Sequence, residues 1–131
     1  LLGTDLVFIP RLEQALQRHG ERFFHKLLLP AELAYCHAGK RPEVFLRRAA
    51  GRIASKEGVA KALGTGLNGL GWGQGICWQD IEIIPVSQRP PVLQLHGRAS
   101  TISTGLNVRH WRLSLSHDGD YAMATVLGVL L

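Results

Sequence analysis

Two acids stand where acids are costly. Asp5 interrupts an otherwise apolar opening, L-L-G-T-D-L-V-F-I, and Glu57 interrupts the apolar side of a long helical stretch. At about 100° per residue, Leu46, Ala49, Ala50, Ile53, Ala54 and Ala60 share one arc. Glu57 projects near its middle and Lys61 close beside it, whereas Arg47, Arg48, Arg52 and Lys56 fall outside. A carboxylate facing the interior must be paired, protonated or bound to metal. Two of them, far apart in the chain, suggest a shared cation. Mg²⁺ is commonly held by one or two carboxylates, with water and phosphate oxygens completing its shell. Competing readings are an i,i+4 pair between Glu57 and Lys61 and, for Asp5, hydrogen bonds from backbone N–H groups or an arginine. On Glu57 alone, periodicity leaves the ion pair and the metal level.

The cations Arg52, Lys56 and Lys61 would suit a phosphorylated ligand, because arginine chelates phosphate oxygens and lysine acts as a point charge. His117, in S-L-S-H-D-G-D, could contact a phosphate, position a nucleophile or shape a turn. A triad of Ser114 or Ser116 with His117 and Asp118 or Asp120 is rejected. Those residues are too close in sequence to converge from separate elements, and no G-x-S-x-G is present. The glycine-rich G-W-G-Q-G of residues 71–75 lacks the G-K-[ST] of a phosphate-binding loop, and no G-x-G-x-x-G links a strand to a helix there. Arg11, Arg18 and Arg22 would align on one face if their helix continued past Gly20, forming a stripe able to dock an acidic protein or nucleic acid. Trp72, Trp78 and Trp111 read as packing residues.

The elements that must carry these groups suit one domain of 131 residues with its own core. Residues 1–9 read as a buried strand, 11–19 and 21–29 as short helices, and Pro30 as the start of another. Residues 43–63 form the long helix, stopped by Gly64-Thr65-Gly66. Residues 67–75 read as a mobile loop, 76–86 and 92–95 as strands, and 87–91 as a turn. Residues 97–107 read as a short helix running into a loop. Residues 112–116 and 121–130 make a hairpin around His117-Asp118-Gly119-Asp120. Helices cluster early and strands late, which argues for α+β with an antiparallel sheet.

Charge is uneven. Residues 10–63 hold 11 Lys/Arg against 5 Asp/Glu, while residues 64–131 hold 4 of each. A basic half beside a neutral half suggests an anionic partner. Cys36 and Cys77 build neither a zinc site nor a disulfide framework. With no secretory leader and no membrane-length apolar run, a cytoplasmic protein is expected.

Taken in order, G-T-D-L-V, F-F-H-K-L-L-L-P-A-E-L, A-G-R-I-A-S-K-E-G-V-A-K-A-L-G-T-G, W-Q-D-I-E-I and S-L-S-H-D resemble the holo-[acyl-carrier-protein] synthase family, the small bacterial 4′-phosphopantetheinyl transferases. The resemblance covers essentially the whole chain. It implies Mg²⁺-dependent transfer of 4′-phosphopantetheine from coenzyme A to a serine of apo acyl carrier protein, releasing adenosine 3′,5′-bisphosphate. It places Asp5 and Glu57 on the metal, and Arg52, Lys56, Lys61, Gly64 and Gly66 in the coenzyme A segment. Ser116 and His117 fall near the substrate phosphates, and Arg11, Arg18 and Arg22 against the carrier protein. Glu57, a metal-bound water or His117 remain open as the base, with Lys61 beside the chemistry. A homotrimer with sites shared between neighbouring chains is implied as well, without membrane or nucleic-acid binding. Two departures stand out: Phe8 where members often carry an acid, and Ser87-Gln88-Arg89-Pro90 where a Gly-Lys-Pro turn is usual. The rival classes are a basic nucleic-acid-binding module and a metal-dependent phosphohydrolase.

Overall fold

The computed structural model describes residues 1–67 and 75–131. Its axis is the helix α4 (Pro42–Leu63), which has a partner on nearly every side. Strand β1 (Leu2–Phe8) and the hairpin β4 (His110–Asp118) and β5 (Tyr121–Val129) form a three-stranded antiparallel sheet in the order β1-β5-β4. One face of that sheet lies on α4 through Gly3, Asp5, Ala122, Ala124 and Val126. The other face is exposed and carries Leu2, Leu6, Tyr121, Met123 and Leu127. Gly119 opens the two-residue hairpin turn with φ +56°, a conformation that suits glycine.

On its far side α4 meets a layer of three helices, α1 (Ile9–His19), α2 (Arg22–Leu27) and α3 (Pro30–His37). Pro10 and Pro30 sit in the first turns of α1 and α3, where the missing N–H costs nothing. A second hairpin, β2 (Ile81–Val86) with β3 (Arg89–Leu95), and the helix α5 (Gly97–Gly105) close the remaining flank. Two apolar clusters result: α4 against the sheets, and α4 against the helical layer around Phe24, Leu28 and Phe45. The α+β expectation holds, with two antiparallel sheets.

Two local expectations change. The strand expected over 76–86 begins only at Ile81, because residues 78–80 close a 3-10 turn and Ile76 pairs singly with Leu67. The expected turn over 87–91 shortens to Ser87-Gln88, and Pro90 and Pro91 enter β3. A two-stranded sheet has only edges, where a missing donor is tolerated. Gly20, at φ +66°, ends α1, so the arginine stripe is broken between Arg18 and Arg22. The mobile loop expected over 67–75, including Trp72, falls almost wholly outside the described residues. Among those residues no helix is long and apolar enough to cross a membrane.

Candidate functional site

Strand β1 and helix α4 approach so closely that their backbones touch. A Cβ at Gly3 would overlap the carbonyl oxygen of Gly58 and stand 2.9 Å from the amide nitrogen of Ala62. That approach brings Asp5, two residues along the same face of β1, to the turn of α4 that carries Glu57 and Lys61. Lys61 Nζ donates to Asp5 Oδ1 at 2.8 Å and to the Thr4 carbonyl oxygen at 3.1 Å. Asp5 Oδ2 is buried and, among the described residues, has no geometrically defined hydrogen-bond donor. Glu57 is half-buried, and its carboxyl is pushed up to about 8, first by burial, then by a side-chain hydrogen bond with Asp5 and by that carboxylate's charge, while Lys61 pulls it down. A divalent cation is one group that would answer both the orphaned oxygen and the raised pKa. Asp5 and Glu57 would hold it. Among the described residues no third His, Cys, Asp or Glu completes an all-protein cage, so water or ligand oxygens must complete the shell.

Glu57 opens onto a cleft of about 560 Å³ with apolar walls that include Phe8, Phe23, Leu27 and Trp78. Arg11 and Lys26 also line it. Arg18 and Arg22 are exposed on the adjoining helices.

Arg52 and His117 belong to a different pocket, of about 200 Å³, together with Tyr35, Arg47, Arg48 and Arg89. No acid lines it. The guanidinium carbons of Arg48 and Arg52 lie 4.3 and 4.2 Å from the centre of the Tyr35 ring, within cation–π range. The Nε of Arg52 is buried without a partner. His117 Nε2 stands 3.2 Å from the Arg47 carbonyl oxygen, as an Nε2–H donor would. Burial, with the charges of Arg47 and Arg52, holds its pKa below the ordinary histidine value despite that hydrogen bond. The imidazole is therefore neutral at pH 7, with Nδ1 left as its lone-pair nitrogen.

Several placements differ from those expected. Arg52 and Lys56 were placed outside the buried arc of α4, yet both are buried, because α3 and β2 cover the side of the helix that periodicity left to solvent. Lys56 is fully enclosed, and its ammonium donates to Glu32 Oε1 at 2.6 Å, Leu27 O at 2.8 Å and Trp78 O at 3.1 Å. Its three protons are thereby used, leaving none for a phosphate in this arrangement. Lys61, placed near the arc, is instead largely exposed, with its tip on Asp5. Ser116 pairs with Met123 on the outer face of the sheet, beside Leu6 and Asp118, whereas His117 faces the arginine pocket. Neighbours on a strand point to opposite sides, so one chain does not bring those two together. Gly64, in the left-handed region at φ +74°, caps α4, and exposed Gly66 follows it.

The sequence profile of the 4′-phosphopantetheinyl transferase superfamily matches residues 1–126. The chain belongs to that superfamily. Holo-[acyl-carrier-protein] synthase of Gloeobacter violaceus is 42% identical over 95% of this chain and 89% of its own length. The Herpetosiphon aurantiacus synthase is 41% identical over 97% and 96%. Among solved structures, the Neisseria meningitidis synthase superposes with a TM-score of 0.81 at 28% identity, covering 98% of this chain and 96% of its own. The Helicobacter pylori synthase in complex with coenzyme A gives 0.77 at 28% identity, covering 98% and 100%.

Within this transferase fold, sequence reasoning missed Tyr35, Arg89 and Glu32. The double arginine at 47 and 48 was visible as charge, but its place beside His117 was not. Nothing local marks Tyr35 as the ring on which two guanidiniums stack. Glu32 read as a first-turn acid of α3, and only the fold shows it meeting Lys56.

Proposed function

We infer that the chain performs the holo-[acyl-carrier-protein] synthase reaction, moving 4′-phosphopantetheine from coenzyme A to a serine hydroxyl of apo acyl carrier protein. The observation that carries this reading is the meeting of Asp5, Glu57 and Lys61 across β1 and α4, with Asp5 Oδ2 buried and, among the described residues, without a geometrically defined donor. In the reaction, the serine oxygen forms a bond to the β-phosphorus of the pyrophosphate. The bond from that phosphorus to the bridging oxygen breaks, the serine proton passes to a base, and adenosine 3′,5′-bisphosphate leaves. Such transfers depend chiefly on charge neutralisation and in-line placement. A Mg²⁺ held by Asp5 and Glu57 would supply Lewis-acid charge at the pyrophosphate. Lys61, tethered only by its tip, is placed to turn from Asp5 toward a phosphate oxygen. Arg52, in a pocket that no acid lines, suits the remaining anionic groups of coenzyme A, and His117 would join it by taking up a proton at Nδ1 as the anion arrives.

These groups face different sides of α4. Glu57 opens on the apolar cleft, and Arg52 and His117 on the arginine pocket. One coenzyme A touching both sets is served best by two chains. The exposed face carrying Leu2, Leu6, Tyr121, Met123 and Leu127 is apolar enough to be covered by further copies of the chain, which supports a homotrimer with shared sites. Arg11 on the cleft wall, with Arg18 and Arg22 exposed on α1 and α2, supplies charge to receive an acidic carrier protein.

Incubation with coenzyme A, Mg²⁺ and an apo carrier protein tests the reading. The expected result is a carrier mass raised by one phosphopantetheine. No gain from a folded protein at saturating substrates would sink it.

A further inference from the structure

The least expected group in the molecule is an ion pair in its interior. Lys56 and Glu32 are almost wholly buried, 2.6 Å apart, and neither touches the carboxyl pair or the arginine pocket. Glu32 Oε1 also accepts the Leu29 N–H at 2.8 Å, and Oε2 accepts the Ile83 N–H at 2.9 Å. With the bonds from Lys56 to Leu27 and Trp78, five hydrogen bonds join the end of α2, the start of α3, α4, the 3-10 turn and β2. A buried pair of this kind is a poor source of stability compared with apolar packing of the same volume. What it supplies is direction, because each bond fixes a backbone atom at a set distance from Lys56 or Glu32.

Two of those atoms matter for the site. Leu27 and Trp78 come from different elements, and both line the cleft on which Glu57 opens. Lys56 precedes Glu57 on α4 and holds both residues by their carbonyl oxygens. We propose that Glu32 and Lys56 are positioning residues, which fix the walls of the Glu57 cleft and so set how the acceptor serine reaches the reacting phosphorus. The proposal rests on the transferase reading for what enters the cleft. Removing Lys56 leaves two carbonyl oxygens and the Glu32 carboxylate without its proton donors, and the walls lose their common tie. Among the described residues Arg52, His117 and Lys61 share no hydrogen bond with Glu32 or Lys56, although Arg52 feels the charge of Glu32.

The test compares Lys56→Met and the nearly isosteric Glu32→Gln with the parent, at a temperature where circular dichroism shows each protein fully native. In a folded variant, kcat/KM for the carrier protein should fall about tenfold, while KM for coenzyme A keeps its parental value. Alkylation of Cys77, on the cleft beside Trp78, should change rate in both variants before any substrate is added. Cys36 stays silent in that experiment, since burial pushes its thiol up to about 11. Should Lys56→Met fail to fold, Glu32→Gln gives the same readings. Parental kinetics with parental alkylation in a native variant would make the pair structural only and overturn the proposal. An equal rise in both KM values would also overturn it. If the parent transfers nothing, the transferase reading fails by itself, and the alkylation rates still report whether the pair holds the walls.

Discussion

Gly3 and Gly58 touch backbone to backbone, and the carboxyl pair of the site depends on that contact. A side chain at Gly3 would strike the carbonyl oxygen of Gly58, which belongs to a helix and cannot turn aside. Gly3→Ala should therefore cost about 2–3 kcal/mol of stability. It should also lower activity beyond what the unfolded fraction explains, because β1 must shift and carries Asp5 with it. At Gly58 a Cβ would meet Val126 Cγ2 at 2.9 Å, a side-chain contact. Gly58→Ala regains about 1 kcal/mol of helix propensity, so its net cost should be smaller, and Val126→Ala, costly by itself in the core, should cost less in that background than in the parent. Denaturant midpoints of the parent, the three single variants and the double variant check the ordering.

Asp5→Asn removes a charge, and Glu57→Gln a carboxyl that is largely protonated at pH 7 without a cation, from a site where charge is costly. Both variants should remain folded, with unfolding midpoints equal to or above that of the metal-free parent. Transfer should drop about a hundredfold or more, and the rise in midpoint produced by Mg²⁺ in the parent should disappear. Retained transfer by Asp5→Asn would remove Asp5 from the metal.

His117 gives the structure a dependence on pH. Its folded pKa lies below the usual 6.5, so the unfolded chain takes up the proton more readily than the folded one. The stability linked to this group is intact above pH 6.5 and is lost as pH falls through the folded value. His117→Gln should flatten that part of the profile, as read from urea midpoints between pH 7.5 and 5. Equal slopes in both proteins would show that the imidazole is not the titrating group.

The basic helices make a kinetic prediction. Arg18→Glu or Arg22→Glu should raise KM for the carrier protein about tenfold, leave KM for coenzyme A near its parental value, and weaken the salt dependence of the reaction. Equal effects on both substrates would place docking elsewhere.

If sites are shared between chains, the outer sheet face controls activity. Leu6→Lys and Met123→Glu alter exposed positions and should leave each chain folded. Sedimentation should show smaller species with little transfer. A monomer of full activity would refute the shared site.

Much of this was legible in the chain, for physical reasons that are local. Proline at helix starts, glycine at helix stops and the hairpin turn at Gly119 depend on neighbours a few residues away. Asp5 and Glu57 were conspicuous because an acid in an apolar setting needs an answer wherever it lies. Lys56 was misplaced by the same reasoning. A helix wheel assumes one buried face, and α4 is covered on several. The partner that makes burial of an ammonium tolerable, Glu32, stands 24 residues away. Ser116 and His117 look like one element in the sequence, but strand pleating sends them to opposite sides. The arginine pocket required α3, α4, β3 and β4 to be placed before Tyr35, Arg52, Arg89 and His117 could meet.

The pairing of β1 with β5 sets the order in which the molecule can become active. Asp5 leaves the ribosome long before its strand partner Ala124. Until β5 has emerged, β1 has only α4 to lean on, and a closure of this length is slow compared with forming the helices. The helical layer can gather early around α4, with Glu57 and Lys61 waiting on its surface. The carboxyl pair is completed only when β1 joins β5, so a product cut short before β5 would carry the helices without the chemistry.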